Sequence, residues 1–295
     1  MLERYIGVIK PEEKEVFTRF DSKSVINNAF ELWILFLKQS KLEHDEAANS
    51  LLDEACRLLK PYEKALPFVI AEESFFTSLT NTYKFTKERI FSGIFYTALL
   101  NMGTTERKVF FPLQKGMDWC GYKLQKGTLS ITSIDSWWTG LDAEGGCIID
   151  NGSPKFFGCA AKDGVFIKHR YALKDEEKYS SFGYNAHGGI FINHGYTPSI
   201  GDFAHGGLFI NYDSTLSGGE QAEGDCIFVS PTMRERCKRG CIYLIASDLK
   251  KDKSLSLLID KMYEHTKDSA AIDIPAIKNL GDLIKIYCEE RYGDR

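Results

Sequence analysis

His187, His205 and Glu223 stand at positions i, i+18 and i+36, and imidazole and carboxylate groups are ligands that Zn²⁺ accepts. If the chain completes one coil over each such interval, these three side chains stack in a single column and form a candidate metal site. Glu144 and Lys162 are earlier members of the same column, so the competing reading is a solvated, mixed-charge edge with ordinary cross-strand pairing. Asn193 and Asn211 share the same spacing and are expected to form an amide ladder. His194, next in line, has the chemistry of a general base. The run Arg234, Arg236, Lys238 and Arg239 is a candidate contact for an anion or an acidic partner. Its alternative role is a charged cap on an open sheet edge. Cys237 and Cys241 lack the histidine or second cysteine pair that a zinc site needs. No phosphate-binding loop, dinucleotide fingerprint, HExxH or GxSxG motif is present, so no cofactor is expected.

What must position these residues is a repeat. Its coils read Gly140-Leu-Asp-Ala-Glu-Gly-Gly-Cys-Ile-Ile149, Gly158-Cys-Ala-Ala-Lys-Asp-Gly-Val-Phe-Ile167, Gly183-Tyr-Asn-Ala-His-Gly-Gly-Ile-Phe-Ile192, Gly201-Asp-Phe-Ala-His-Gly-Gly-Leu-Phe-Ile210 and Gly219-Glu-Gln-Ala-Glu-Gly-Asp-Cys-Ile-Phe228. The alanines Ala143, Ala161, Ala186, Ala204 and Ala222 keep the i, i+18 spacing except between Ala161 and Ala186, where it lengthens. That gap implies a seven-residue insertion near Ala172–Ser181. Lys126-Gly-Thr-Leu-Ser-Ile131 is a degenerate earlier coil. Within the coils, glycine recurs at every sixth position, at Gly140, Gly146, Gly152, Gly158, Gly164, Gly183, Gly189, Gly195, Gly201, Gly207 and Gly219, with Asp213 and Asp225 at the two remaining lattice positions. A backbone that bends left-handedly at each corner explains this, because glycine, then Asn and Asp, take that conformation most cheaply. The expected fold of the middle of the chain is a β-solenoid of 18-residue coils.

Short strands between corners alternate their side chains. Ile149, Ile167, Ile192 and Ile210, with the alanines, are expected to face the interior. Ile148, Phe166, Phe191, Phe209 and Ile227 are expected to point outward, under a terminal helix or a neighbouring subunit, because such an apolar column is too large to leave wet.

The flanks have helical spacing. Asp21 is a candidate N-cap for a helix carrying Val25, Ile26, Trp33 and Phe36, and Ala48–Leu59 repeats the i, i+3, i+4 pattern up to Pro61. A further helix is predicted from Thr86 to Gly103, and the stretch from Phe68 to Tyr83 also reads as helical. Helical spacing returns from Ser254 to Arg291. The chain is therefore expected to be α+β, with a helical domain over 1–105, a β-solenoid over 106–246 and C-terminal helices over 247–295 packing on the solenoid.

The phrase Gly-x-x-Ala-x-Gly-Gly-x-Phe/Ile-Ile resembles the repeat of the C-terminal domain of the glutamate synthase large subunit, also found in formylmethanofuran dehydrogenase. The resemblance spans Gly140 to Phe228. It implies a right-handed solenoid that serves as a scaffold and carries no catalytic residue. Where that family has a glycine after each strand, this chain has Asp150, Lys168, Asn193 and Asn211. Three hexads per coil also look like the left-handed solenoid of hexapeptide-repeat acyltransferases, although Lys155, Pro198 and Leu216 stand where that family has an aliphatic column. Either winding hand fits the repeat.

The chain has 295 residues, a net charge of −4 and 26% charged residues. The charge speaks against nucleic-acid binding. No apolar run reaches the length of a membrane span, and the N-terminus lacks a signal-peptide pattern. Eight scattered cysteines are expected to be reduced thiols in a cytoplasmic protein. The function that follows is a non-enzymatic scaffold with a protein partner or self-association, such as an accessory subunit of a larger enzyme. The alternative is an acyltransferase acting as a trimer.

Overall fold

The computed structural model describes residues 33, 36, 47–65, 86–103, 108–111, 117–132, 136–152, 154–169, 180–213, 215–230, 241–269 and 271–293. Its centre is a β-solenoid. The strands, in chain order, are β1 (Lys108–Phe111), β2 (Thr128–Ile131), β3 (Glu144–Asp150), β4 (Asp163–Lys168), β5 (Ser181–Phe182), β6 (Ile190–Asn193), β7 (Thr197–Ile200), β8 (Gly206–Asn211), β9 (Thr215–Gly218), β10 (Asp225–Ser230) and β11 (Ile242–Ile245). Eight of them form one parallel sheet in the order β1-β2-β3-β4-β6-β8-β10-β11, and β5-β7-β9 form a second. The register runs Ile148, Phe166, Phe191, Phe209, Phe228 without slipping across the insertion. The insertion itself lies outside the described residues apart from Ser180 and Ser181.

The five alanines stack as expected and are all buried. Backbone bonds link the stations, from Lys162 N to Ala143 O at 2.8 Å, His187 N to Ala161 O at 2.8 Å, His205 N to Ala186 O at 2.7 Å and Glu223 N to Ala204 O at 2.7 Å. These bonds belong to a third side of each coil, built of turns rather than a sheet.

The two apolar columns face opposite ways from the expectation. Ile148, Phe166, Phe191, Phe209 and Phe228 fill the interior together with the alanines. Ile149, Ile167, Ile192 and Ile210 face out and are buried under C-terminal helices. Both columns are apolar, so alternation alone does not say which is inside. The corner glycines decide it. A Cβ on Gly158, Gly183 or Gly201 would come within 2.6–2.8 Å of the ring of Phe191, Phe209 or Phe228. The missing side chains thus leave the room that the rings occupy. Ile227 does face outward, because the last coil is one residue longer and Phe228 takes the interior position opposite Phe209.

The glycine corners are of two kinds. Gly140, Gly146, Gly158, Gly164, Gly183, Gly189, Gly201, Gly207 and Gly219 have positive φ, as the lattice predicts. Gly152 and Gly195 do not, and at the last corner Gly224 rather than Asp225 is left-handed. The third corner is made by side chains instead. Asp150 Oδ1 accepts from Gly152 N at 2.7 Å and Asn193 Oδ1 from Gly195 N at 3.3 Å, while Asn211 Nδ2 donates to Asp213 O at 2.7 Å. An Asx side chain bonding two positions along makes a turn without a left-handed residue. This is the work of the Asp and Asn residues that replace glycine after the strands.

Helix α1 (Ala47–Leu59) ends just before Pro61, in a 3₁₀ segment Lys60–Ala65, and α2 (Thr86–Met102) stops at Gly103. Most of residues 1–46 and all of Phe68–Tyr83, with the helices expected there, lie outside the described residues; Trp33 and Phe36 are helical and fully buried. They pack with α1 and α2 in one core continuous with the solenoid interior. Helix α2 closes the first coil through side chains one turn apart on one face. Thr97 Oγ1 accepts from Gly121 N at 2.8 Å, Asn101 Oδ1 accepts from Gln125 N at 2.8 Å, and Asn101 Nδ2 donates to Lys123 O at 3.0 Å. Backbone groups at the open end of the coil stack are thereby satisfied. One turn earlier, a Cβ on Gly93 would lie 2.0 Å from Asp118 O. Replacing Gly93 with alanine is expected to push α2 off the coil and destabilise the protein by about 1–3 kcal/mol, as overpacking does. Chemical denaturation of Gly93→Ala against wild type measures this.

The C-terminal helices are α3 (Ala246–Lys251), α4 (Lys253–Thr266) and α5 (Ile274–Tyr292). Their buried residues include Leu255, Ile259 and Met262 on α4 and Ile277, Ile284 and Cys288 on α5, all against the outer isoleucine column. Helix α5 comes so close that a Cβ on Gly281 would meet Ile190 Cδ1 at 2.4 Å. Asp252 holds the helices to one another. It caps α4 by accepting from Leu255 N at 3.1 Å, accepts from the hydroxyls of Tyr287 and Tyr292 at 2.8 Å each, and pairs with Arg291 Nε at 2.9 Å. Burial raises its pKa, but these donors outweigh burial and hold the carboxyl below its ordinary value. Among the described residues, no helix is long and apolar enough to cross a membrane.

Candidate functional site

The column that suggested a metal is present as a column. His187 and His205 stack with ring centroids 5.2 Å apart and planes 13° from parallel, and both are exposed. In the same column Lys162 Nζ pairs with Glu144 Oε1 at 3.1 Å, and this hydrogen bond holds the Glu144 carboxyl below its ordinary range despite some burial. Coil spacing stacks the imidazoles face to face instead of converging their nitrogens on one point. Among the described residues, no three His, Cys, Asp or Glu side chains come together in a way that could hold a metal ion. His187, His205 and Glu223 are not brought together as a ligand set. Arg234, Arg236, Lys238 and Arg239 lie outside the described residues.

The Asn193–Asn211 ladder is present, with Asn193 Nδ2 donating to Asn211 Oδ1 at 2.7 Å. It belongs to a longer buried polar column of Asp150, Lys168, Asn193, Asn211 and Ser230, which follows the register of β3, β4, β6, β8 and β10. Lys168, 1% exposed, donates to Ser180 Oγ at 3.3 Å and stands beside Asp150 in the strand pairing.

His194 is placed for packing rather than catalysis. His169, His194 and Tyr212 stack at 5.1 and 5.0 Å, and Tyr263 of α4 closes over them at 5.4 Å from His194 and 5.0 Å from Tyr212. His194 Nε2 lies 2.8 Å from Thr266 Oγ1, while that hydroxyl donates its proton to Met262 O at 2.7 Å. The hydroxyl has one proton, so His194 is the donor and is the Nε2–H tautomer. Burial, and then its neighbour His169, depress the His194 pKa to about 3. Such an imidazole is a feeble base at neutral pH, and it faces a helix rather than an open site.

Beside this stack, Tyr212, Ala246, Leu249, Lys250, Ser256, Ile259, Asp260 and Tyr263 line a cleft of about 370 Å³. Its volume is at the small end of ligand pockets. Its floor is apolar, and its rim carries one lysine and one aspartate.

What sequence reading missed is a set of aromatic corners. Trp119, Trp138, Phe156 and Phe203 all have φ between 56° and 60°. A left-handed backbone costs about 1–2 kcal/mol for such a residue relative to its usual conformation. Trp138 and Phe156 stack at 4.4 Å and 9°, Trp137 lies 6.1 Å from Phe156 with Lys155 Nζ 4.5 Å above its ring, and Tyr184 lies 5.2 Å from Phe203. Phe203 is 38% exposed and the others are half-buried. These corners flank the glycine column, two positions before or after it. Aromatic residues two positions from a corner glycine were the available signal.

Comparison with protein-family models, curated proteins and solved structures found no match.

Proposed function

We propose that the protein is a non-enzymatic scaffold that binds a partner protein through the aromatic corner face of its solenoid. The observation that carries this reading is the left-handed conformation of Trp138, Phe156 and Phe203. Gly, Asn or Asp would occupy these corners at lower conformational cost, and other coils do use Asp142 and Asn185 at the position of Phe203. Large rings held rigidly at a half-exposed edge, with one cation over Trp137, have the composition of interface anchors. Among the described residues, Asp150 is engaged in a turn, Asn193 and Asn211 in a ladder, and His194 in helix docking. The sequence resemblance to solenoid domains of multi-subunit oxidoreductases agrees with an accessory-subunit role.

Asn is favoured where φ is positive, which makes a clean test. Trp138→Asn and Phe203→Asn are expected to keep the fold within about 1 kcal/mol of wild type, because relieved strain offsets lost ring burial. They are also expected to remove a stoichiometric partner that copurifies with the tagged wild-type chain. Retention of that partner by the double variant would overturn the proposed face. The acyltransferase alternative rests on the solenoid fold alone. It requires a trimeric mass and acetyl-CoA turnover that His194→Ala abolishes.

A further inference from the structure

Two thiols meet where the solenoid's last strand joins the stack. Cys226 is the second residue of β10, and Cys241 immediately precedes β11. The next residues of the two strands, Ile227 and Ile242, are in-register partners, so the cysteines occupy one rung. Both side chains turn toward the interior core, Cys226 within it at 1% exposure and Cys241 packed against it and half-buried. Stacked positions on adjacent strands are about 4.8 Å apart, and disulfides span Cα separations of about 4.4–6.8 Å. Both cysteines are free thiols.

We infer that Cys226 and Cys241 form a reversible dithiol–disulfide pair that locks the last strand onto the solenoid. The two sulfurs are not equivalent. The neighbouring Cys226 holds the Cys241 thiol below its ordinary pKa, and Cys226 is pushed up by its contact with Cys241 and by burial. Cys226 Sγ donates its one proton to Glu223 O at 3.2 Å. Cys241 is therefore the attacking sulfur, exposed enough to meet an oxidant, and Cys226 is the resolving one. The oxidant is a low-molecular-weight disulfide. The Cys241 thiolate attacks one of its sulfurs, forming a mixed disulfide and releasing one small thiolate. Cys226 then loses its proton to solvent and attacks the Cys241 sulfur, releasing the second. Two electrons pass from the protein dithiol to the small disulfide, which leaves as two thiols. The new bond encloses residues 227–240, and with them the basic run from Arg234 to Arg239, in a covalent loop.

The test equilibrates the folded full-length chain in graded mixtures of reduced and oxidised glutathione, followed by acid quench, alkylation and peptide mapping. The expected product is two hydrogen masses lighter than the reduced protein, links Cys226 to Cys241 and returns to the dithiol on reduction. Oxidation is expected to raise the melting temperature by several degrees, and Cys237→Ser to form the same bond. A product linking Cys237 to either cysteine would overturn the inference, as would a glutathione adduct persisting on Cys241 or both thiols alkylating freely after oxidation.

Discussion

Lowering the pH from 7.5 to 5 is expected to weaken the folded state by about 2 kcal/mol through His194 alone. The unfolded chain takes up a proton on this imidazole near pH 6.5, whereas burial and His169 keep the folded form neutral until about pH 3. Its folded pKa is depressed, so the full stability is present above pH 6.5 and is lost progressively as the pH falls from 6.5 toward 3. Each pH unit within that window removes about 1.4 kcal/mol. His169 acts in the same direction, because burial lowers its pKa against the opposing pull of Asp268. The structural target is the helix layer. A proton on His194 Nδ1 charges a ring already stacked between His169 and Tyr212, with Tyr263 and Thr266 of α4 over it. Equilibrium urea unfolding at pH 7.5, 6 and 5 measures the effect. His194→Phe keeps the stacking and removes the titration, so its stability should fall less over the same range. An identical pH dependence in the variant would show that His194 is not the group responsible.

Phe191→Ala is expected to cost about 3–5 kcal/mol, the range for deleting a fully buried ring. Phe191 is at the middle of the interior stack, 4.8 Å from Phe166 and 4.7 Å from Phe209. It also meets Phe182 edge-on at 5.5 Å and fills the space left by Gly158 and Gly183. The corner glycines that border the hole have no side chains to collapse into it, so little of the loss is recovered. Phe191→Ile should cost less than half as much, because Ile148 already occupies this column one coil from Phe166. Ile192→Ala, on the outer face, is expected to cost about 2–4 kcal/mol, and to loosen α4 and α5 rather than the coils. Hydrogen exchange separates the two cases. The interior variant should speed exchange in β4, β6 and β8, and the outer one in the helices. The opposite pattern would reverse the assignment of inside and outside.

That assignment marks the boundary between what was legible in the sequence and what was not. The coil period, the alanine column, the Asn193–Asn211 ladder and the helices α1, α2, α4 and α5 could all be read from residue types and spacing. Each follows from a local rule. Glycine marks a corner because of its backbone freedom, a strand alternates because its period is two, and a helix shows its face every three or four positions. Two of the three corners in each coil follow the glycine rule. The third departs from it because Asp150 and Asn193 supply a hydrogen bond that substitutes for conformation.

Which apolar column lies inside was a tertiary decision, since Ile149 and Phe166 are equally suited to burial and both are buried. The width of the tube at Gly158, Gly183 and Gly201 admitted the rings, and α4 and α5 covered the isoleucines. Whether His187, His205 and Glu223 could converge was likewise a matter of coil rise, which stacks rings in parallel and keeps their nitrogens apart. His194 looked like a base because histidine is one; the helix packed above it made it a neutral donor. Sequence alone thus determined the period and the placement of residues in columns, which depend on the chain's own backbone. The tertiary structure determined what each column faces, because that depends on the distance between parts of the chain far apart in sequence.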